Sequence, residues 1–180
     1  MYESFYCLSR DHEQVGDPEL KSVVARLDAV IKRIDAKIRA LIEASPQAQD
    51  AWARLRCVPG VGPVVGSAVL NCLERLRFGN ADAFVAFCGW DPRPDDSGRK
   101  TGRRRLSKRG SSQLRYLLYN AAMAASRTKA WRPFYERALA KGLSHVEALI
   151  ILARQIARTA WSIYTHRTQF DSQRISHPLT

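Results

Sequence analysis

The chain has 180 residues, 46% of them hydrophobic, with 29 Lys+Arg against 17 Asp+Glu and a formal net charge of +12. That apolar content can bury a core and excludes wholesale disorder, and so basic a surface attracts polyanions, of which nucleic acid is the commonest. No run of about 18 apolar residues occurs, which excludes a membrane-spanning helix; the N-terminus shows no secretory pattern either, so the reading places the protein in the bacterial cytoplasm, on the nucleoid.

Residues 1–17 read as a flexible leader. Asp17 then stands as an N-cap ahead of Pro18, a good first helical residue. Residues 18–45 form a helical arm. Its apolar positions, Leu20, Val24, Leu27, Ile31, Ile34, Ile38 and Leu41, step alternately by four and three, which is a heptad seam. Val24, Ile31 and Ile38 are β-branched and occupy one seam position, a choice that favours two-stranded parallel pairing and hence a homodimer. Val23, Val30 and Ile42 widen the stripe, and the same pattern also suits an amphipathic helix packed on its own domain. Pro46 breaks the arm.

A helical domain is expected over residues 51–171, with a tail at 172–180. It opens with two helical patterns around Pro59, Gly60, Val61 and Gly62, and Pro63 suits the first position of the second helix. This spacing predicts a helix-hairpin-helix. Glycines there let backbone N–H groups approach a phosphate, and the uncovered helix N-terminus holds it. Asn80 caps a short helix over Ala81–Cys88, which Gly89 ends. The character then changes. Between residues 93 and 115 stand Arg93, Arg99, Lys100, Arg103, Arg104, Arg105, Lys108, Arg109 and Arg115, against Asp95 and Asp96, in a glycine- and proline-bearing stretch. This is a basic loop or short hairpin. The arginine fork suits bidentate phosphate contacts, so these side chains are the expected contacts to double-stranded DNA. Ser111 or Ser112 caps the next helix, whose stripe is Leu114, Leu117, Leu118, Ala121, Ala122 and Ala125. Pro133 opens a short helix that Gly142 closes, and Ser144 with Glu147 makes a capping box before the longest apolar helix. The fold class is therefore mainly α: a heptad arm, then a helical domain with a helix-hairpin-helix and one basic insertion.

The chain by itself shows no catalytic constellation. His12, His145, His166 and His177 are scattered, and no Ser/His/Asp spacing is present. Asp91, Asp95 and Asp96 crowd one arginine-rich loop, whereas a two-metal site needs carboxylates converging from separate elements. Cys7, Cys57, Cys72 and Cys88 are too widely spaced for a zinc knuckle and read as reduced, mostly buried thiols. No metal ligand and no cofactor is assigned.

Five motifs follow in order: Leu55-Arg-Cys-Val-Pro-Gly-Val-Gly-Pro63, Phe78-Gly-Asn-Ala-Asp-Ala-Phe-Val-Ala-Phe-Cys-Gly-Trp-Asp-Pro92, Asp96-Ser-Gly-Arg-Lys100, Leu106-Ser-Lys-Arg-Gly110 and Leu114-Arg115. Together they resemble the C-terminal domain of the insertion-sequence transposase family numbered one-hundred-ten, also one-hundred-sixteen, which is related to the pilin-gene invertases. The resemblance runs from the arm near residue 18 to Phe170-Asp171. It implies a role in DNA transposition and site-specific recombination. Members of the family carry an N-terminal RNase-H-like domain with four acidic metal ligands, then a coiled coil, then this domain. The family's serine nucleophile maps onto Ser97, after the turn Gly89-Trp-Asp-Pro92, and the element's own structured RNA guides target choice. The acidic domain is absent from this reading of the chain. Mg²⁺ is expected only with that domain, supplied by a separate chain that completes a composite site. The competing reading is a stand-alone module, left from a decayed element, that binds DNA or RNA without cutting it.

Overall fold

The structure, a computed structural model, describes residues 17–93, 105–106 and 110–173. Two units can be distinguished, residues 1–45 and residues 46–180. The fold is mainly α, as the periodicities imply, with seven helices and one two-stranded pair among the described residues.

The first unit is helix α1, Pro18–Glu43. The Asp17 carboxylate accepts from the Glu19 backbone N–H at 2.9 Å, and Pro18 fills the first turn where no donor is needed. Along the helix the heptad positions Leu20, Leu27, Ile31, Ile34, Ile38 and Leu41 are all exposed, and Val24 is half-buried. An apolar stripe on a helix of this length is thus left facing outward.

The second unit opens with α2, Pro46–Arg56, so Pro46 begins a helix as well as ending the arm. Lacking an N–H, it continues no preceding helix and loses nothing at the start of a new one. α3, Pro63–Arg75, packs on α2. α4, Ala81–Phe87, starts on the Asn80 side chain, which accepts from the Ala83 N–H at 2.8 Å. It ends with Gly89 at φ +75. There the Gly89 N–H donates to the Ala86 carbonyl at 2.8 Å and the Trp90 N–H to the Val85 carbonyl at 3.2 Å, the paired bonds of a Schellman end. Two short strands follow, β1 (Pro92–Arg93) and β2 (Arg105–Leu106), antiparallel with Pro92 opposite Leu106 and Arg93 opposite Arg105. The basic insertion is therefore a hairpin at its base.

α5, Ser112–Ala125, is capped by Ser111. α6, Arg132–Ala140, and α7, His145–His166, complete the unit. The α7 capping box is present: the Ser144 N–H donates to Glu147 Oε2 at 2.9 Å, and the Glu147 N–H donates to Ser144 Oγ at 3.4 Å. α7 is the spine of the core, packed against α2, α3, α4, α5 and α6. Its inner face carries Ala148, Leu149, Leu152, Ala153, Ile156, Ala157, Ala160 and Ile163, and α5 answers with Leu114, Leu118, Ala121, Ala122 and Ala125. The alanines let the two helices approach closely, while the leucines and isoleucines supply most of the apolar area removed from water. Among the described residues no helix is long and apolar enough to cross a membrane.

Candidate nucleic-acid interface

The turn between α2 and α3 divides its residues between core and surface. Val58 and Val61 are buried. Gly60 adopts φ +93, and a Cβ there would lie 2.5 Å from the Ala121 carbonyl oxygen and 2.7 Å from the Ala125 methyl. So Gly60 serves a close approach to α5. Gly62 differs: nothing lies within 4 Å of a Cβ built on it, and it stands at the N-cap of α3 without a side-chain hydrogen bond. Pro63 and Val64 beyond it are exposed. Pro59 is half-buried. The outward part of this turn is thus the α3 N-terminus, whose first N–H groups no side chain covers.

The basic hairpin is tied down at both ends. Its start follows the Schellman end of α4. At its finish the Ser111 N–H donates to the Phe87 carbonyl at 2.9 Å, and a Cβ on Gly110 would fall 1.8 Å from that same oxygen and 2.5 Å from the Gly89 nitrogen. Backbone meets backbone there, which only glycine permits. The segment that bears the cluster therefore leaves and rejoins the domain at one place. Arg115 sits half-buried on the first turn of α5. Arg105 is described by its backbone pairing with Arg93. Ser97, Arg99, Lys100, Arg103, Arg104, Lys108 and Arg109 lie outside the described residues.

Two arginines in this neighbourhood escaped the sequence reading. Arg154 and Arg158 stand one turn apart on α7. Arg158 bridges to Asp82 of α4, with Nη2 at 2.7 Å and Nε at 2.8 Å from Oδ1. Exposed as it is, such a bridge contributes only about 0–1 kcal/mol and serves mainly to place the side chain. Arg154 Nε is buried and has no acceptor. Burial and the adjacent Arg158 lower the Arg154 pKa, with Asp82 and Asp91 acting in the opposite sense. Trp90 Nε1, beside Asp91, is likewise buried without an acceptor. The signal in the sequence was a pair of arginines at i and i+4 inside an otherwise apolar stretch.

Cys72 and Cys88 are buried, whereas Cys57 is exposed. Burial, reinforced by Cys72 and opposed by Arg115, pushes the Cys88 thiol up to about 12, so it stays protonated and inert near neutrality. Among the described residues no three His, Cys, Asp or Glu side chains gather to hold a metal ion.

The chain is similar in sequence to proteins of bacterial mobile elements. The chain is 30% identical over 154 residues to the 44.8 kDa protein of insertion element IS116 from Streptomyces clavuligerus, covering 84% of this chain and 38% of that protein. It is 31% identical over 156 residues to a probable family 20 transposase of Pseudomonas aeruginosa, covering 83% and 45%. With the 42 kDa protein of insertion element IS900 from Mycobacterium paratuberculosis the identity is 28% over 171 residues, covering 92% and 41%. The chain thus spans less than half the length of each of these relatives. Residues 53–136, from α2 through the hairpin to α6, match the model of the transposase family IS116/IS110/IS902.

Proposed function

We propose that this chain is the DNA-binding portion of a transposase, gripping duplex phosphates with the basic hairpin and supplying Ser97 as nucleophile to a composite site. The observation that carries this reading is the anchoring of the hairpin: a family-matched segment rich in arginine, held at both ends against the C-terminal end of α4. Arg99, Lys100, Arg103, Arg104, Arg105, Lys108, Arg109 and Arg115 neutralise phosphates. Arg154, which feels Asp91 and has a buried donor in want of an acceptor, and Arg158, held on Asp82, add two guanidinium groups. The uncovered N-terminus of α3 is a further phosphate seat. In the covalent step the Ser97 oxygen bonds to phosphorus as the scissile P–O bond breaks. The acidic RNase-H-like domain of the longer family proteins, or of a separate chain, would hold the Mg²⁺ that such chemistry requires. The exposed seam of α1 pairs two copies, and the element's structured RNA is the second nucleic-acid partner. Acting on DNA, the protein works in the bacterial cytoplasm.

The test is a salt titration of duplex binding. Neutralising Arg103, Arg104 and Arg105 together lowers the slope of log affinity against log salt by up to about three. Affinity falls evenly across DNA sequences, since phosphate contacts position the duplex without reading it. An unchanged slope sinks the reading.

A further inference from the structure

Between α2, the end of α3 and the last turns of α7 lies a cleft of about 740 Å³, within the range of roughly 300–1,000 Å³ usual for ligand sites. Trp161 and Tyr164 line it from α7, and Arg54, Arg77 and Arg167 bring three guanidinium groups to it. Its two carboxylates are engaged. Asp50 pairs with Arg54, and Glu74 accepts from the Tyr164 hydroxyl at 3.0 Å. Arg77 and Arg167 have no carboxylate partner among the described residues, and Arg54 Nε is buried without an acceptor. The cleft therefore offers unspent positive charge beside two aromatic rings.

Arg167 sharpens the point. It ends α7 with φ 53 and ψ 34, the left-handed conformation, and it is the one non-glycine residue with positive φ among those described. Helix ends in this conformation normally use glycine, because an L side chain is strained there. A basic group can answer a helix dipole from any position in the last turn, so that need does not explain a strained arginine. A basic side chain is what glycine could not supply, and Arg167 lines the cleft. It also lies near Tyr164: burial and Glu74 raise the phenol pKa, and Arg167 acts against them.

We propose that this cleft holds an unpaired nucleotide of a single nucleic-acid strand, its base on Trp161 and Tyr164 and its phosphate on Arg77 and Arg167. Planar rings flanked by free guanidinium groups suit a strand whose bases are unstacked, since every base has a face to stack. A duplex keeps its bases inside, so this surface does a different task from the hairpin and uses different residues.

Tryptophan fluorescence of the full chain reads the contact. Of the four tryptophans, Trp90 and Trp131 are buried, at 3% and 0% exposure, whereas Trp52 and Trp161 are half-exposed, so the titrations are run in a Trp52→Phe background that leaves Trp161 as the accessible reporter. Short oligothymidylate, or oligouridylate, quenches the parent saturably, and the tighter of the two identifies the sugar preferred. Trp161→Leu removes the reporter itself, so its affinity is read from the anisotropy of a dye-labelled oligonucleotide, and it falls roughly 5–150-fold. Arg167→Gly keeps a thermal midpoint at or above the parent's yet binds several-fold more weakly, which a folding defect cannot produce. Both variants binding as the parent does would overturn the proposal, and so would a polyglutamate peptide that competes as well as the oligonucleotides. Neutralising Arg103, Arg104 and Arg105 leaves this quench in place, so the hairpin reading and this one fail separately.

Discussion

Gly60 and Gly62 stand two residues apart in one turn, and the structure gives them different work. The φ of +93 at Gly60, together with the Ala121 carbonyl 2.5 Å from any added Cβ, means that a side chain there must push α5 away. Left-handed strain and overpacking add, so Gly60→Ala destabilises the helical unit by about 2–4 kcal/mol. Gly62 has an ordinary φ of −77 and open space around its Cβ position. Gly62→Ala therefore shifts stability by no more than about 1 kcal/mol. If the α3 N-terminus seats a phosphate, the added methyl still intrudes between backbone and ligand, and duplex affinity falls while the melting temperature holds. Thermal melts and duplex titrations on the two single variants separate these effects. A Gly62→Ala protein that binds duplex like the parent would remove the α3 N-terminus from the interface. The sequence showed that this turn needed glycine, but not which glycine faced inward. That depends on Ala121 and Ala125, some sixty residues further along the chain.

At the scale of the element, what was legible was local. Asp17, Asn80, Ser111 and the Ser144–Glu147 box all cap the helices their positions implied, because a cap is a hydrogen bond across two or three residues. Pro46 was legible as a break but not as the start of α2. The hairpin base depends on the Ser111 N–H reaching the Phe87 carbonyl and on Gly110 lying against it, contacts that periodicity does not encode. For α1 the seam is plain both in the sequence and as an exposed stripe, with Leu27 at 43% and Ile34 at 50% exposure. If that stripe pairs two copies, Leu27→Asp with Ile34→Asp places unpaired charges in the seam. The protein then sediments as a monomer, while circular dichroism still reports folded α2 to α7. A parent that sediments as a monomer, or a variant that keeps the parent's dimer, would show that the stripe does not join two chains.

Taken whole, the molecule presents a strongly cationic chain with 29 Lys+Arg, matched by longer proteins of which it spans less than half. The fold class could be read from helix periodicity, and the charge from composition alone. The chemistry could not, because Ser97 lies in a Gly- and Arg-rich stretch where a serine also suits a simple turn, and because it falls outside the described residues. The proposed nucleophile role draws on its sequence neighbours. Arg99, Lys100 and Arg103 can stabilise charge developing on a phosphate, and the hairpin base fixes where the segment leaves the domain. A serine hydroxyl is a weak nucleophile until a base or metal activates it, so the decisive experiment supplies those from outside. The chain is incubated with a radiolabelled DNA duplex, Mg²⁺ and an acidic RNase-H-like domain from a longer family member, then denatured and resolved on a gel. Label should migrate with the protein. Ser97→Ala should abolish that adduct and leave duplex affinity within about twofold, since the hydroxyl adds little to a grip made of phosphate contacts. Undiminished adduct in Ser97→Ala would remove the nucleophile role and turn attention to Ser107, Ser111 and Ser112. Of these, Ser111 is already committed to capping α5 through its hydroxyl, which makes Ser107 the first to test.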